Sequence, residues 1–551
     1  MALKRKKKNQ IPITPLLVFK FKTKFFSTET QTILQEYQCI HLLLISYLHF
    51  PNQTVMRKLS IVFLFFLFIS FYSIAQTGQA LNPDQVVTTE HTVTVKGNKI
   101  PYKAIAGTLP VYGDSGKIIA GVFFTYYERT DIKDRSTRPL IISFNGGPGT
   151  SSVWMEMGYT GPRLVNVDDE GYPVQPYGIK ENPFSLVDMA DIVYVDPVNT
   201  GYSRITGNAP PSKFFGVNAD IKYLAEWLST FVTRYSRWTS PKYLIGESYG
   251  TNRVSGLALE LQNRQWMFLN GVVLVSPTIL GVERTGPVDM ASRLPYYAAT
   301  AWHHKMLPAD LQSKDLTDVL PEVEEFTINE LIPAITRGGS LDDDKRKAIA
   351  AKMSRYSGLK EKVIIQRNLN IPAQFFWKEL LRDKGYSVGR LDSRYLGIDK
   401  QDAGDTTDYN AELISWNHAF SPAMNSYLHD ELNYKTDLKY YMFGPVNPWD
   451  RSNDRTGENL RLAMAENPFM HVMVQSGYYD GACDYFNAKY NMWQLDPGGK
   501  MKQRISFKGY RSGHMMYLRK PDLETSTNDL REFILKTLPK PGQPAQYNKA
   551  F

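Results

Sequence analysis

The chain has 551 residues, 43% of them hydrophobic and 22% charged, which is enough for a globular, enzyme-sized protein with a large core and an insertion or second domain. Its formal net charge is +9, but residues 1–75 carry ten Lys and Arg against two Glu, leaving 54 against 53 over residues 76–551. The later part is nearly neutral, which removes the electrostatic case for a nucleic-acid partner.

Met56-Arg57-Lys58, the apolar run Leu59 to Phe71, and Ser73-Ile74-Ala75 supply the basic, apolar and small-residue regions of a secretory signal peptide. Cleavage is predicted after Ala75, giving an exported protein, periplasmic or secreted, with no stable membrane insertion; an uncleaved anchor is the alternative. Residues 1–55 have no place in this plan, and translation is expected to start at Met56. Of two cysteines, Cys39 and Cys483, only the second follows the predicted cleavage site, so an internal disulfide is excluded there. That pattern resembles a bacterial exported enzyme more than a lysosomal one.

Strand-like runs at 92–95 and 121–126, with turn signals at Gly97-Asn98 and 113–116, predict an antiparallel start to a sheet. The continuous apolar runs 139–144 and 191–195 are of the kind buried on both faces of a parallel sheet. Asn218 is placed to cap a helix whose apolar stripe is Ile221, Leu224, Leu228, Phe231, Val232 and Tyr235. Lys242 to Ile245 reads as another strand, the stripe Val254, Leu257, Ala258, Leu261 as a helix, and 271–275 as a further central strand. This alternation defines an α/β class with a mostly parallel central sheet. From about 286 to 435 helix-like charged segments dominate, such as Leu341 to Arg355, and predict an inserted helical cap. The α/β pattern returns at 471–477 and 505–507 and closes on a helix through Leu530, Phe533, Ile534 and Leu538. The expected organisation is therefore an upstream segment plus signal over 1–75 (signal about 56–75), core over 76–285, cap over 286–435 and core again over 436–551.

Gly246-Glu247-Ser248-Tyr249-Gly250 lies between the strand and the helix, the arrangement of a nucleophile elbow, where glycines permit a turn too tight for side chains. A serine nucleophile needs a base and an orienting carboxylate. In α/β hydrolases these follow in the order Ser, acid, His. Only His471 and His514 lie beyond residue 429. His471 starts a strand, whereas His514 follows one through a loop, so His514 is the expected base. Asp480, three residues past Gly477, is the expected acid, with Asp484 the alternative. Asn145-Gly146-Gly147-Pro148-Gly149 directly follows a buried strand and suits an oxyanion hole, the amides of Gly147 and Tyr249 being its donors.

These stretches, with 196–203, Gly477-Tyr478-Tyr479-Asp480 and Gly513-His514-Met515, resemble the serine carboxypeptidase family over roughly residues 120–535, in the expected order. The resemblance implies an α/β-hydrolase fold, an acyl-enzyme route at Ser248, Asp480 and His514, and peptide or protein C-termini as substrates. It also implies that Asn145, Gly146 and Glu247 bind the substrate, Asn145 and Glu247 through its terminal carboxylate, and that Cys483 and Met515 border the pocket. Two carboxyl groups can meet only if one is protonated, which implies an acid optimum. The chain departs from the family at Tyr159, where a second carboxylate-binding glutamate is usual, and at Ser143, where tryptophan is usual. Tyr159 is expected to offer its hydroxyl to the same carboxylate, with Glu156, about one helical turn away, the alternative. An esterase or acyltransferase on this scaffold, or a non-catalytic binding protein, are the competing functions. No cofactor and no metal are expected: His303-His304 suit no single-face ligand pair, and Asp399, Asp402, Asp405 and Asp408 read as a solvated loop.

Overall fold

The computed structural model describes residues 80–540 and 542, so the signal peptide and upstream segment expected over 1–75 lie outside the described residues. Nine longer strands build the main sheet: β1 (Gln85–Val95), β2 (Asn98–Tyr112), β3 (Ile118–Arg129), β4 (Leu140–Phe144), β5 (Asp191–Val195), β6 (Lys242–Glu247), β7 (Gly271–Val275), β8 (His471–Gly477) and β9 (Ile505–Tyr510). Their order is β1-β2-β3-β5-β4-β6-β7-β8-β9, and the short strand Arg204–Ile205 pairs beside β3. β1 to β3 are antiparallel, β3 meets β5 antiparallel, and every pair from β5 to β9 is parallel.

The parallel strands read as unbroken apolar runs because each face carries its own core. With a period of two, Ile141, Ile192, Ile245 and Val273 go to one cluster, while Leu140, Ile142, Val193, Leu244 and Leu274 go to the other. Helices α1 (Val217–Arg234) and α2 (Gly250–Arg264) cover the second face. Asn218 does not cap α1. The cap position is Gly216, and the Val217 amide donates to the Asp450 carbonyl at 2.9 Å, so a distant segment closes the helix end that a side chain was expected to close.

Between β7 and β8 the chain is mainly helical, including α3 (Leu294–His303), α4 (Asp343–Ser357) and α5 (Ala411–Ser426). Residues from Ala291 to Val388 form a separate apolar cluster, whereas Trp416, Phe420 and Met424 of α5 pack into the main core. Asp399 is not solvated: it forms a buried ion pair with Lys378 at 2.6 Å. Helices α6 (Tyr485–Leu495) and α7 (Lys520–Thr537) complete the fold. No helix among the described residues is long and apolar enough to cross a membrane.

Candidate active site

The site lies at the C-terminal ends of adjacent parallel strands. Phe144 of β4 pairs with Gly246 of β6, and Glu247 pairs with Val275 of β7, so Asn145 and Ser248 leave the sheet side by side. Ser248 has φ 56°, a left-handed conformation unusual for a residue with a side chain, and its amide donates to the Val275 carbonyl at 2.9 Å. Gly146 abuts this turn so closely that a Cβ there would stand 2.4 Å from the Tyr249 nitrogen and 2.9 Å from Ser248 Cβ. Among the described residues the amides of Gly147 and Tyr249 donate to no backbone acceptor. Such free donors beside a hydroxyl can hold a developing oxyanion.

Gly477 ends β8, and a Cβ there would lie 2.1 Å from the Gly513 carbonyl, so the two loops that carry Asp480 and His514 meet across a glycine. His514 Nδ1 lies 2.7 Å from Asp480 Oδ2. Asp480 Oδ1 accepts the amides of Ala482 and Cys483 at 2.8 and 3.0 Å, and the His514 amide donates to the Leu391 carbonyl at 2.6 Å. Burial works against a charged imidazole, but the neighbouring Asp480 outweighs it, and the His514 pKa is raised. Asp484 stands apart from this pair. It caps α6, accepting the Asn487 amide at 2.9 Å. One ligating atom each from Asp480, Cys483 and His514 falls within 4.8 Å of the others, and two of the three are already bonded to each other.

Ser248, His514, Asn145, Gly146, Gly147, Glu247, Tyr249, Cys483 and Met515 all line one cavity of about 440 Å³. Tyr159 does not. It is fully buried, its hydroxyl donates to Gln475 Oε1 at 2.9 Å, and its ring stacks on Tyr517 at 4.7 Å. The expected contact of its hydroxyl with a substrate carboxylate is therefore corrected. Tyr517, which no motif singled out, donates instead to Glu247 Oε2, while Asn145 Nδ2 donates to Glu247 Oε1 at 2.8 Å. Glu156 is no substitute either, being buried and accepting the Tyr127 hydroxyl at 2.6 Å. Sequence reading also missed Arg253 on α2. Its guanidinium, paired with Asp220 at 2.6 Å, donates to the carbonyls of Asn145 and Pro148 and ties the glycine-rich loop to the elbow helix. A charged residue inside the apolar stripe of α2 was the available signal.

Burial pushes the Glu247 carboxyl up to about 7, against the opposing pull of His514, Tyr517 and Asn145. Burial likewise raises Glu156 to about 8 and Asp196 and Glu412 to about 7. An unfolded carboxyl releases its proton near pH 4. Between there and about pH 7 the folded protein holds more protons than the unfolded chain, so these groups make stability fall as pH rises. The melting temperature is expected to be higher at pH 5 than at pH 8. Glu247→Gln, which mimics the neutral acid, is expected to stabilise by about 1–3 kcal/mol at pH 8 and little at pH 4.5. An equal effect at both values, in thermal melts, would refute a neutral Glu247.

This sheet, with its elbow between β6 and α2, is the α/β-hydrolase fold. Residues 98–504 match the model of the serine carboxypeptidase family, and the chain belongs to that family. It is 32% identical over 168 residues to "Serine carboxypeptidase-like 36" of Arabidopsis thaliana, covering 29% of this chain and 32% of that one. "Carboxypeptidase Y homolog A" of Pyrenophora tritici-repentis is 26% identical over 216 residues, 38% of this chain and 35% of that one. The matched segments thus span about a third of these relatives' own length. Among solved structures, Kex1, described as a prohormone-processing carboxypeptidase from Saccharomyces cerevisiae, matches with a TM-score of 0.47 and 16% identity, covering 79% of this chain and 91% of that one.

Proposed function

We propose that the protein is a serine carboxypeptidase that hydrolyses C-terminal peptide bonds through an acyl-enzyme. The observation that carries this reading is the 2.7 Å Asp480–His514 hydrogen bond in the cavity that also holds Ser248 on its strained turn. In this reading His514 takes the Ser248 proton as the hydroxyl attacks the carbonyl, and Asp480 fixes the ring and offsets its charge. The Gly147 and Tyr249 amides hold the oxyanion. His514 then protonates the departing amine, and water repeats the sequence on the ester. Asn145 and Glu247 take the terminal carboxylate, which a neutral Glu247 meets without like-charge repulsion up to about pH 7.

Of the helical stretch 286–435, the part with its own apolar cluster, 291–388, serves as the cap, while α5 joins the core formed by segments 76–285 and 436–551. The basic and apolar run before Ala75 and the single later cysteine support an exported, bacterial-type enzyme whose partners are peptide or protein C-termini. A second reading, an esterase or acyltransferase, is favoured by Tyr159 in place of the second glutamate and by Tyr517 already engaging Glu247.

A fluorophosphonate should label Ser248 in the folded protein, and its failure to do so would remove the enzyme reading. A free-acid peptide is then expected to be cleaved with a kcat/KM at least about tenfold above that of its C-terminal amide. Equal use of acid and amide, with faster turnover of simple esters, would transfer the assignment to the esterase reading.

A further inference from the structure

Besides Glu247, the acidic residue lining the cavity is Asp484, whereas four arginines line it: Arg284, Arg293, Arg390 and Arg451. None of the four has a side-chain hydrogen bond or a carboxylate within ion-pair distance among the described residues. Arg390 and Arg451 are exposed, so water serves them. Arg284 and Arg293 are half-buried, and the Nε and Nη1 atoms of Arg284 are buried without any acceptor. Leaving guanidinium donors desolvated and unpaired is costly, and an anion brought beside them would offset that cost. Asp484 offsets part of this charge, its buried carboxylate being the strongest acidic influence on both Arg284 and Arg293. Its hydrogen bonds, however, go to the Asn487 amide and side chain at the head of α6, and its one charge faces two guanidinium groups. Asp289, in the short helix Gly286–Ala291, acts on both arginines more weakly than Asp484 and is exposed and outside the cavity lining.

We infer that Arg284 and Arg293 form a subsite for the side-chain carboxylate of an acidic substrate residue, so that the preferred peptides carry Asp or Glu at or next to the C-terminus. This rests on the carboxypeptidase reading, in which Asn145 and Glu247 already take the terminal carboxylate and a second negative group must come from a side chain. A guanidinium is suited to it, because it stays charged and binds a carboxylate through several N–H donors at once. Arg390, an exposed residue of the same lining, adds a long-range attraction for the same charge.

Binding to the full chain carrying Ser248→Ala, measured by calorimetry, tests the subsite without turnover. The probes are peptides that differ only by Glu or Gln at the last or last-but-one position, each as free acid and as amide. At one of these positions the Glu peptide is expected to bind about ten- to a hundredfold more tightly, in the acid and the amide series alike. Adding Arg284→Gln or Arg293→Gln should bring that ratio near one, and Arg284→Lys should restore part of it, with melting curves confirming that each variant is folded. Equal binding of Glu and Gln peptides overturns the inference. So does a preference that survives both arginine substitutions, or one for acid over amide that Arg284→Gln abolishes, since the arginine would then be reading the terminal carboxylate. Cleavage of neutral peptides by the active enzyme tests the carboxypeptidase reading independently of any of these results.

Discussion

His514→Ala is expected to lower kcat/KM on a cleavable peptide by on the order of a million-fold, while the protein keeps its fold. Two features make the effect large and local. The imidazole is the group bonded to Asp480 in the Ser248 cavity, so in the proposed mechanism its loss removes both the proton acceptor and the charge that Asp480 would stabilise. What holds the loop is its backbone rather than the ring: the His514 amide donates to Leu391, and its carbonyl accepts the Ser276 hydroxyl at 2.7 Å. Single-turnover kinetics with matched melting curves would measure it. A variant retaining more than about a hundredth of wild-type activity would show that another residue is the base.

Gly146→Ala is expected to be damaging in both stability and rate. The added methyl would meet the Tyr249 nitrogen at 2.4 Å and the Glu247 carbonyl at 2.8 Å, which are backbone atoms of the elbow with no rotamer in which to escape. Either the glycine-rich loop or the elbow must shift. Arg253 resists a shift of the loop through its bonds to Asn145 and Pro148, and the Ser248–Val275 hydrogen bond resists a shift of the elbow. A loss of about 1–3 kcal/mol is expected from the overpacking. A displaced Tyr249 amide would cost a further hundred- to thousandfold in kcat, as the loss of one oxyanion donor does elsewhere. Chemical denaturation and kcat on an activated ester separate the two. Wild-type values for both would mean that the loop and the elbow do not touch as described.

Ser248, Asp480, His514 and the 145–149 stretch were readable in the chain because each is announced locally. An apolar strand ends, a glycine permits a tight turn, and a polar residue follows it in a chain order that one mechanism uses. The pairing of Asp480 with His514 needed only that two consecutive parallel strands, β8 and β9, end at the same edge. The cap of α1 was misread because its partner, the Asp450 carbonyl, is more than two hundred residues away in sequence and has no side-chain signature. Asp399 was misread for a similar reason, since nothing in a run of spaced aspartates shows which one is folded over Lys378.

The neighbourhood of Glu247 marks the boundary between the two kinds of information. The amino-acid sequence by itself determined the fold class and marked Ser248, Asp480 and His514 at the ends of their segments, since strand periodicity and glycine-bounded turns are properties of short segments. It also marked Tyr159 as the departure from the family. Only the tertiary structure decided what that departure does: Tyr159 turns to Gln475 on β8, and Tyr517, beyond His514, places its phenol on Glu247 instead. It alone gathered Arg284 and Arg293 around a cavity shared with Ser248. The physical reason is that a side chain's direction at such a site is set by the packing of segments hundreds of residues apart, and so by the sheet order and the surrounding core.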